Sequence, residues 1–367
     1  MNRFSHYDWP FFEERHRLLA AEAESWCIKN RIGENHGDAD AVCRRFVADL
    51  GRAGFLNHCV SATPDVRSIA LLREVFAYHH GLADFAFVMQ GLGSGPIVLE
   101  GTEAQKKAWL PKVAKGEAIA AFALSEPDAG SDVAALSCLA ARQKDHWQID
   151  GVKTWISNGG IADFYVTFAR SELGISAFIV KAEEVDASER IDIIAPHPMA
   201  TVKFRGAKAE LIGEEGKGFK LAMRNLDIFR TTVAGAALGF SRRALDESLV
   251  RARSRKMFGK TLGDLQMTQA KLADMATGIE GAALLTYKSA WKKDKTKEKT
   301  TADAAMAKMQ ATETAQAVVD AAVQIFGGLG VKSGHPVERL YREVRALRIY
   351  EGATEVQKVI IARELLK

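Results

Sequence analysis

The chain of 367 residues sets 50 lysines and arginines against 46 aspartates and glutamates, a net charge of +4, with 47% hydrophobic and 26% charged residues. These proportions match an ordinary globular protein and exclude wholesale disorder and collagen-like or mucin-like character. The charge is too balanced to imply nucleic acid by itself, and a chain this long needs neither disulfides nor a structural metal to stay folded.

In chain order, residues 1 to about 119 read as helices, with Phe46, Leu50 and Phe55, then Leu71, Leu72, Val75 and Phe76, at helical spacing. Gly91-Leu-Gly-Ser-Gly-Pro96 is glycine-rich, but no strand precedes it and Pro96 spoils the helix a Rossmann fingerprint needs. A helix–helix turn is expected there instead. Thr102 with Gln105 is a capping box for a short helix expected to end before Pro111. Residues from about 120 to 215 change character: AIAAFALS, HWQIDGVKTWIS, FYVTFAR, ISAFIVK and ATVKF are short β-rich runs between Gly, Asp and Asn turns. From about 216 to 367 long helices return, over Gly216 to Arg253, Asp264 to Lys292 and Thr301 to Phe326. The segregation predicts an α+β chain with a β domain between two helical ones, and the lysine-rich KKDKTKEKTTAD as a solvated turn.

Several classes find no support. Cys27, Cys43, Cys59 and Cys138 show no CxxC pair and read as reduced small hydrophobes. There is no HExxH, no Cys/His cluster, no Walker A and no GxSxG, so no metal site is expected. The N-terminus lacks an apolar leader, and no run approaches about eighteen consecutive apolar residues, so a cytoplasmic protein without membrane insertion is expected.

Three features point to chemistry. Ser125-Glu-Pro-Asp-Ala-Gly-Ser-Asp132 follows an apolar strand as a loop with many exposed N–H groups, suited to anionic or carbonyl-rich ligands. Trp155-Ile-Ser-Asn-Gly-Gly ends a strand on an indole, either a core tryptophan or the wall of a planar ligand site. In Ile349-Tyr-Glu-Gly-Ala-Thr-Glu-Val-Gln357, Thr354 and Gln357 read as a capping box with Glu351 in the preceding turn. An apolar approach through Ile349 and Tyr350 would raise the Glu351 pKa and make it a base near neutrality.

Together these segments resemble the acyl-CoA dehydrogenase family from about residue 85 to the end. The carriers are FALSEPDAGSD (122–132), GVKTWISNGG (151–160), GEEGKGFKLAM (213–223), RSRKMFGKTLGDLQ (253–266), QIFGGLGV (324–331) and RIYEGATEVQKVIIARELL (348–366). The resemblance implies an N-terminal helical domain (1–119), a middle β-barrel-like domain (120–215) and a C-terminal four-helix bundle (216–367). It also implies non-covalent FAD. Leu124, Ser125, Trp155, Ile156 and Ser157 would face the flavin ring. Arg255, Phe258, Gln266, Gln324, Gly327 and Gly328 would meet the rest of the cofactor, in part from a neighbouring subunit, and Ala353, Thr354 and Glu355 its AMP half. A homodimer or homotetramer follows.

For substrate, the resemblance places Ser131, Asp227 and Arg230 along the CoA thioester and Glu351 as the catalytic base. Glu351 would take the α-proton while the β-hydride passes to flavin N5, giving a trans-2-enoyl-CoA, with an electron-transferring flavoprotein as acceptor. Relatives that place the base on the long helix do so at the position of Phe229, which cannot take a proton, so Glu351 stands as the family-position base of the short- and medium-chain type. Phe229 is expected to narrow the acyl end of the pocket. Between Asn158 and Gly213 the β domain is shorter than in relatives, and the strand entry is reduced to His197-Pro-Met-Ala-Thr-Val-Lys-Phe204. Acyl-carrier-protein substrates and an enoyl-CoA reductase or oxidase direction stay open. A DNA-associated flavoprotein would need clustered arginines, which the sequence lacks.

Overall fold

The computed structural model describes residues 5–34, 37–296 and 298–367. Helices α1 (Glu14–Lys29), α2 (Ala39–Arg52), α3 (Val66–His79), α4 (Gly81–Glu100) and α5 (Glu103–Ala114) come first. Strands β1 (Ala120–Ala123), β2 (Leu139–Arg142), β3 (Trp147–Ser157), β4 (Phe164–Ser171), β5 (Gly174–Lys181), β6 (Asp186–Arg190) and β7 (Met199–Ile212) follow. Helix α6 (Gly218–Ser254), a hairpin of β8 (Lys256–Met257) and β9 (Lys260–Thr261), and helices α7 (Gln266–Lys295), α8 (Thr301–Phe326), α9 (Pro336–Leu347) and α10 (Thr354–Leu365) complete the chain. Contacts divide it into two compact units, one of Met1–Glu34, Val66–Asp84 and Phe229–Lys367, the other of Asn35–Asp65 and Phe85–Ile228.

In the second unit the sheet runs β1-β4-β2-β3-β7-β5, and β5 pairs back onto β4. That pairing closes a small barrel and removes free edges from its path, while β1 and β6 flank it. Residues Phe164–Ala169 of β4 are all buried, as expected for a strand covered on both faces. Gly151, at φ +144°, marks a register shift in β3, where a Cβ would come within 2.8 Å of the Cys138 sulfur.

The glycine-rich run is not a turn. Gly91 to Pro96 lie inside the continuous helix α4, and the glycines serve packing: a Cβ on Gly93 would come within 2.7 Å of Ala120 Cβ. Pro96 removes the N–H that would bond the Leu92 carbonyl. Asn225 Nδ2, from α6, donates to that carbonyl at 2.9 Å, which explains why the helix survives the proline. The Thr102–Gln105 capping box forms, but α5 continues through Pro111 to Ala114. Pro111 is exposed there, so water can satisfy the carbonyl it orphans.

In the first unit α8 packs against α7, α9 and α10, and α3 against α1 and α7. The lysine-rich segment is only partly solvated: Asp294 accepts from the Val66 and Arg67 N–H groups at 2.8 and 3.1 Å and so caps the start of α3. Lys297 of that segment, like residues 1–4, lies outside the described residues. Two helices, Gly81–Glu100 and the extended Thr301–Val331, are long and apolar enough by composition to cross a membrane, which the count of consecutive apolar residues did not anticipate. The apolar window of Gly81–Glu100 is 94% buried inside the protein, the mark of a core helix; that of Thr301–Val331 is 39% buried.

Candidate active site

On the barrel unit, the strand that ends in Trp155 carries a β-bulge. Lys153 pairs with Val202 and Ile156 with Ala200, so Thr154 and Trp155 together oppose Thr201. Trp155 takes φ +59°, a left-handed conformation that costs a bulky residue about 1–3 kcal/mol, and its side chain is turned outward, 60% exposed. The core-tryptophan reading is thereby excluded. Ile156 beside it is buried and Ser157 half-buried. The Thr154 N–H donates to the Ser125 carbonyl at 3.0 Å, which places the Leu124–Ser125 segment next to the bulge.

A buried ion pair fixes both segments. Lys153 Nζ donates to the Leu124 carbonyl at 3.0 Å and to Glu126 Oε1 at 2.7 Å. Glu126 also accepts from the Ser137 N–H and hydroxyl and from the Cys138 N–H. Burial pushes the Glu126 carboxyl up, but Lys153 and these donors outweigh it and hold the group below the usual carboxylate range. Sequence reasoning missed this pair, although Glu126 sits inside the quoted SEPDAGSD loop. Ser131 lies exposed on that loop.

On the helical unit, Glu351 occupies the turn between α9 and α10 at φ +52°, followed by Gly352 at +94°. Arg230 Nε on α6 donates to the Glu351 carbonyl at 3.3 Å. Lys308 Nζ on α8 and Gln357 Nε2 on α10 both donate to the Gly352 carbonyl, at 2.7 and 2.8 Å. The Glu351 Oε2 atom is buried and finds no hydrogen-bond partner among the described residues. Burial raises the carboxyl pKa, opposed by Arg73, Lys308 and Arg230 and reinforced by Asp84. Arg73 is held by Asp84 through two 2.8 Å bonds and donates to Thr232 Oγ1. A carboxyl raised above the usual range, with one oxygen buried and unpartnered among the described residues, is suited to accept a proton.

The Thr354–Gln357 capping box does not form. Ala353 is the cap residue of α10, the Thr354 hydroxyl donates to Glu313 Oε1 at 2.6 Å, and the Gln357 side chain turns back to the Gly352 carbonyl. Helix α10 therefore starts at Thr354, one residue earlier than expected. Glu355 is exposed. Phe229 and Arg230 are buried, and Asp227 is half-buried one turn before Arg230 on α6.

Phe258 and Gly259, at φ +51° and +74°, form the two-residue tip of the β8–β9 hairpin. This leaves the Phe258 ring 85% exposed, with Arg255 exposed just before the hairpin. Gln266 opens α7, Gln324 lies near the end of α8, and Gly327 and Gly328 follow it; all four are exposed. No group of three or more His, Cys, Asp or Glu placed to hold a metal ion occurs among the described residues.

On the barrel unit, the outward indole on its bulge suits the face of a flat, partly apolar ligand. On the helical unit, the buried Glu351 oxygen without a partner among the described residues suits proton transfer. Comparisons with known proteins give the family. Family models described as the acyl-CoA dehydrogenase N-terminal, middle and C-terminal domains match residues 13–117, 121–205 and 216–366. The chain belongs to the acyl-CoA dehydrogenase family. It is an FAD-dependent oxidoreductase acting on CH–CH groups.

Among its relatives is the human mitochondrial short-chain specific acyl-CoA dehydrogenase, 40% identical over 96% of this chain and 90% of that one. The 3-(aryl)acrylate reductase of Clostridium sporogenes is 34% identical over 97% and 100%. A subunit of the caffeyl-CoA reductase–Etf complex of Acetobacterium woodii is 37% identical over 83% of each chain. Butyryl-CoA dehydrogenase from Megasphaera elsdenii superposes with a TM-score of 0.88 at 33% identity, covering 97% and 99%. An acyl-CoA dehydrogenase complexed with FAD from Bacillus anthracis gives 0.88 at 28% identity, covering 97% of this chain and 67% of that one.

Proposed function

We propose that the protein converts an acyl-CoA thioester to its trans-2-enoyl-CoA, with Glu351 taking the α-proton. The observation that carries this reading is the buried, unpartnered Oε2 of Glu351 on a turn whose carbonyls are anchored by Arg230, Lys308 and Gln357. Bound FAD supplies the hydride acceptor. Leu124, Ser125 and the Trp155–Ser157 segment are the residues we assign to its ring. Arg255, Phe258, Gln266, Gln324, Gly327 and Gly328 are assigned to the remainder, and Ala353, Thr354 and Glu355 to its AMP half. Ser131, Asp227 and Arg230 would orient the CoA thioester, and the Glu351 N–H would donate to the thioester carbonyl as enolate character develops. Anaerobic bleaching of the flavin by a panel of acyl-CoAs tests the base. Glu351→Gln should bleach roughly 10²–10⁴-fold more slowly, and equal rates in both proteins would remove Glu351 from the mechanism.

A reductase direction is the second reading, favoured by relatives named as an arylacrylate and a caffeyl-CoA reductase. Faster reoxidation of the reduced enzyme by an aryl-enoyl-CoA than bleaching by its saturated partner would select it. An electron-transferring flavoprotein as redox partner has support in the Etf complex of the Acetobacterium relative. A homodimer or homotetramer is supported by exposed apolar side chains on the helical unit, Phe258 at 85%, Met267 at 74% and Val331 at 71%. Sedimentation velocity should give a dimer or tetramer mass, and a monomer would reject this assignment. The expected cytoplasmic location stays part of the same proposal.

A further inference from the structure

Lys308 sits on the Ala-rich face of α8, among Ala304, Ala305, Ala307, Ala311 and Ala315, and its side chain has no solvent exposure. Among the described residues no carboxylate stands within salt-bridge distance of it, and its Nζ has one acceptor, the Gly352 carbonyl at 2.7 Å. A fully buried lysine is expensive unless something is gained from its charge. Gln357 already donates to the same carbonyl at 2.8 Å, so a neutral side chain would leave that oxygen satisfied. The hydrogen bond alone therefore does not account for an ammonium at this position.

We infer that Lys308 is a positioning residue for the base: it anchors the left-handed Glu351–Gly352 turn through the Gly352 carbonyl and, beside Arg73 and Arg230, supplies positive charge that favours the ionised Glu351 carboxyl. The inference rests on the assignment of Glu351 as the base. The ionisable groups facing Glu351 include Arg73 on α3, Asp84 on α4, Arg230 on α6, Lys308 on α8 and the neighbouring Tyr350, whose hydroxyl burial keeps neutral. Arg73 is tied to Asp84 by two bonds, so much of its charge is already answered, and Arg230 reaches the Glu351 carbonyl. Lys308 faces Glu351, Arg230, Glu313 and Glu355, and burial lowers its pKa to about 8, which leaves it mostly protonated at neutral pH. The two buried groups thus stabilise each other's charged forms, and loss of one makes the other harder to ionise.

Two readouts test the proposal, on holoenzyme and on FAD-free protein. In Lys308→Met, the acid limb of the pH profile for acyl-CoA-driven flavin bleaching should move to higher pH. The rate at pH 7 should fall on the order of tenfold, as expected for losing one nearby opposite charge. Lys308→Arg should restore the wild-type limb. In FAD-free protein, Glu351→Gln should raise the melting temperature at pH 8 more in the Lys308→Met background than in the wild type. Lys308→Gln, a neutral donor, makes the same comparisons should Lys308→Met not fold. An unmoved acid limb together with equal effects of Glu351→Gln in both backgrounds would overturn the inference while leaving the base intact. A Glu351→Gln enzyme that bleaches normally would instead overturn the assignment of the base.

Discussion

Glu351 and Trp155 are both held at positive φ, +52° and +59°, where a side chain larger than glycine's is strained. The surrounding bonds over-determine them: three side chains bind the carbonyls of the Glu351 turn, and Lys153 with Thr154 ties the bulge to the strand-end loop. Phe229, buried at the position where some relatives carry their base, is the residue we expect to limit the acyl group. Phe229→Ala should cost about 3–5 kcal/mol of stability and shift the bleaching panel toward longer or bulkier acyl-CoAs; an unchanged chain-length profile would refute the idea. At this scale Glu351 and Trp155 were legible because each sits in an unusual local string, an acid before glycine in an apolar turn and an indole before small polar residues. Lys308 was missed, yet its signal was present: one lysine inside an alanine stripe at helical spacing. Arg73 and Asp84 left no such mark, because their pairing joins two helices.

At the scale of elements, the chain's boundaries followed its periodicity. Thr301–Phe326 was predicted to the residue, and β3, β4 and β5 lie within a few residues of their β-rich runs. The errors came from Gly and Pro, whose helix-breaking character is local while their use here is tertiary. Helix α4 keeps Gly93 because the barrel strand lies too close for a side chain, and keeps Pro96 because Asn225 replaces the missing donor. Asn225→Ala should therefore destabilise the protein by about 1–3 kcal/mol, the cost of an orphaned buried carbonyl. Adding Pro96→Ala, which gives Leu92 its own helical partner, should recover part of that loss in a denaturant titration. Additive losses in the double variant would show that Asn225 stabilises in another way. Strands β2 and β6 were missed because they are four and five residues long and largely exposed, with little apolar pattern to read.

At the scale of the whole molecule, the closed barrel and the helical bundle each carry a buried charge cluster. In the helical unit Glu74 binds His6 at 3.2 Å, Arg242 at 2.6 Å and the Tyr287 hydroxyl, which anchors the turn Ser5–Asp8. Burial pushes Glu74 up, but His6 and Arg242 outweigh it and bring the carboxyl to about 2. Glu126 in the barrel unit is lowered likewise. Groups lowered on folding stabilise the protein above the ordinary carboxylate pKa of about 4.3, and that contribution is lost as the pH falls toward the folded value. Glu351 has the opposite sign: its contribution is complete below about 4.3 and is lost as the pH rises through its raised pKa. The wild type should thus lose stability steeply in acid. Glu351→Gln should melt above it at pH 8 and with it at pH 4; a constant offset across that range would contradict the burial of the carboxylate.

The bulge at Thr154–Trp155 bears on how easily this site could be lost. Removing Trp155 alone would bring Thr154 opposite Thr201 and leave Ile156 opposite Ala200, so the ladder between β3 and β7 would read straight through. A single-codon deletion would then yield a more regular barrel, relieved of one left-handed residue but stripped of its outward indole. The extra residue therefore answers to the outward indole rather than to the pairing of the two strands.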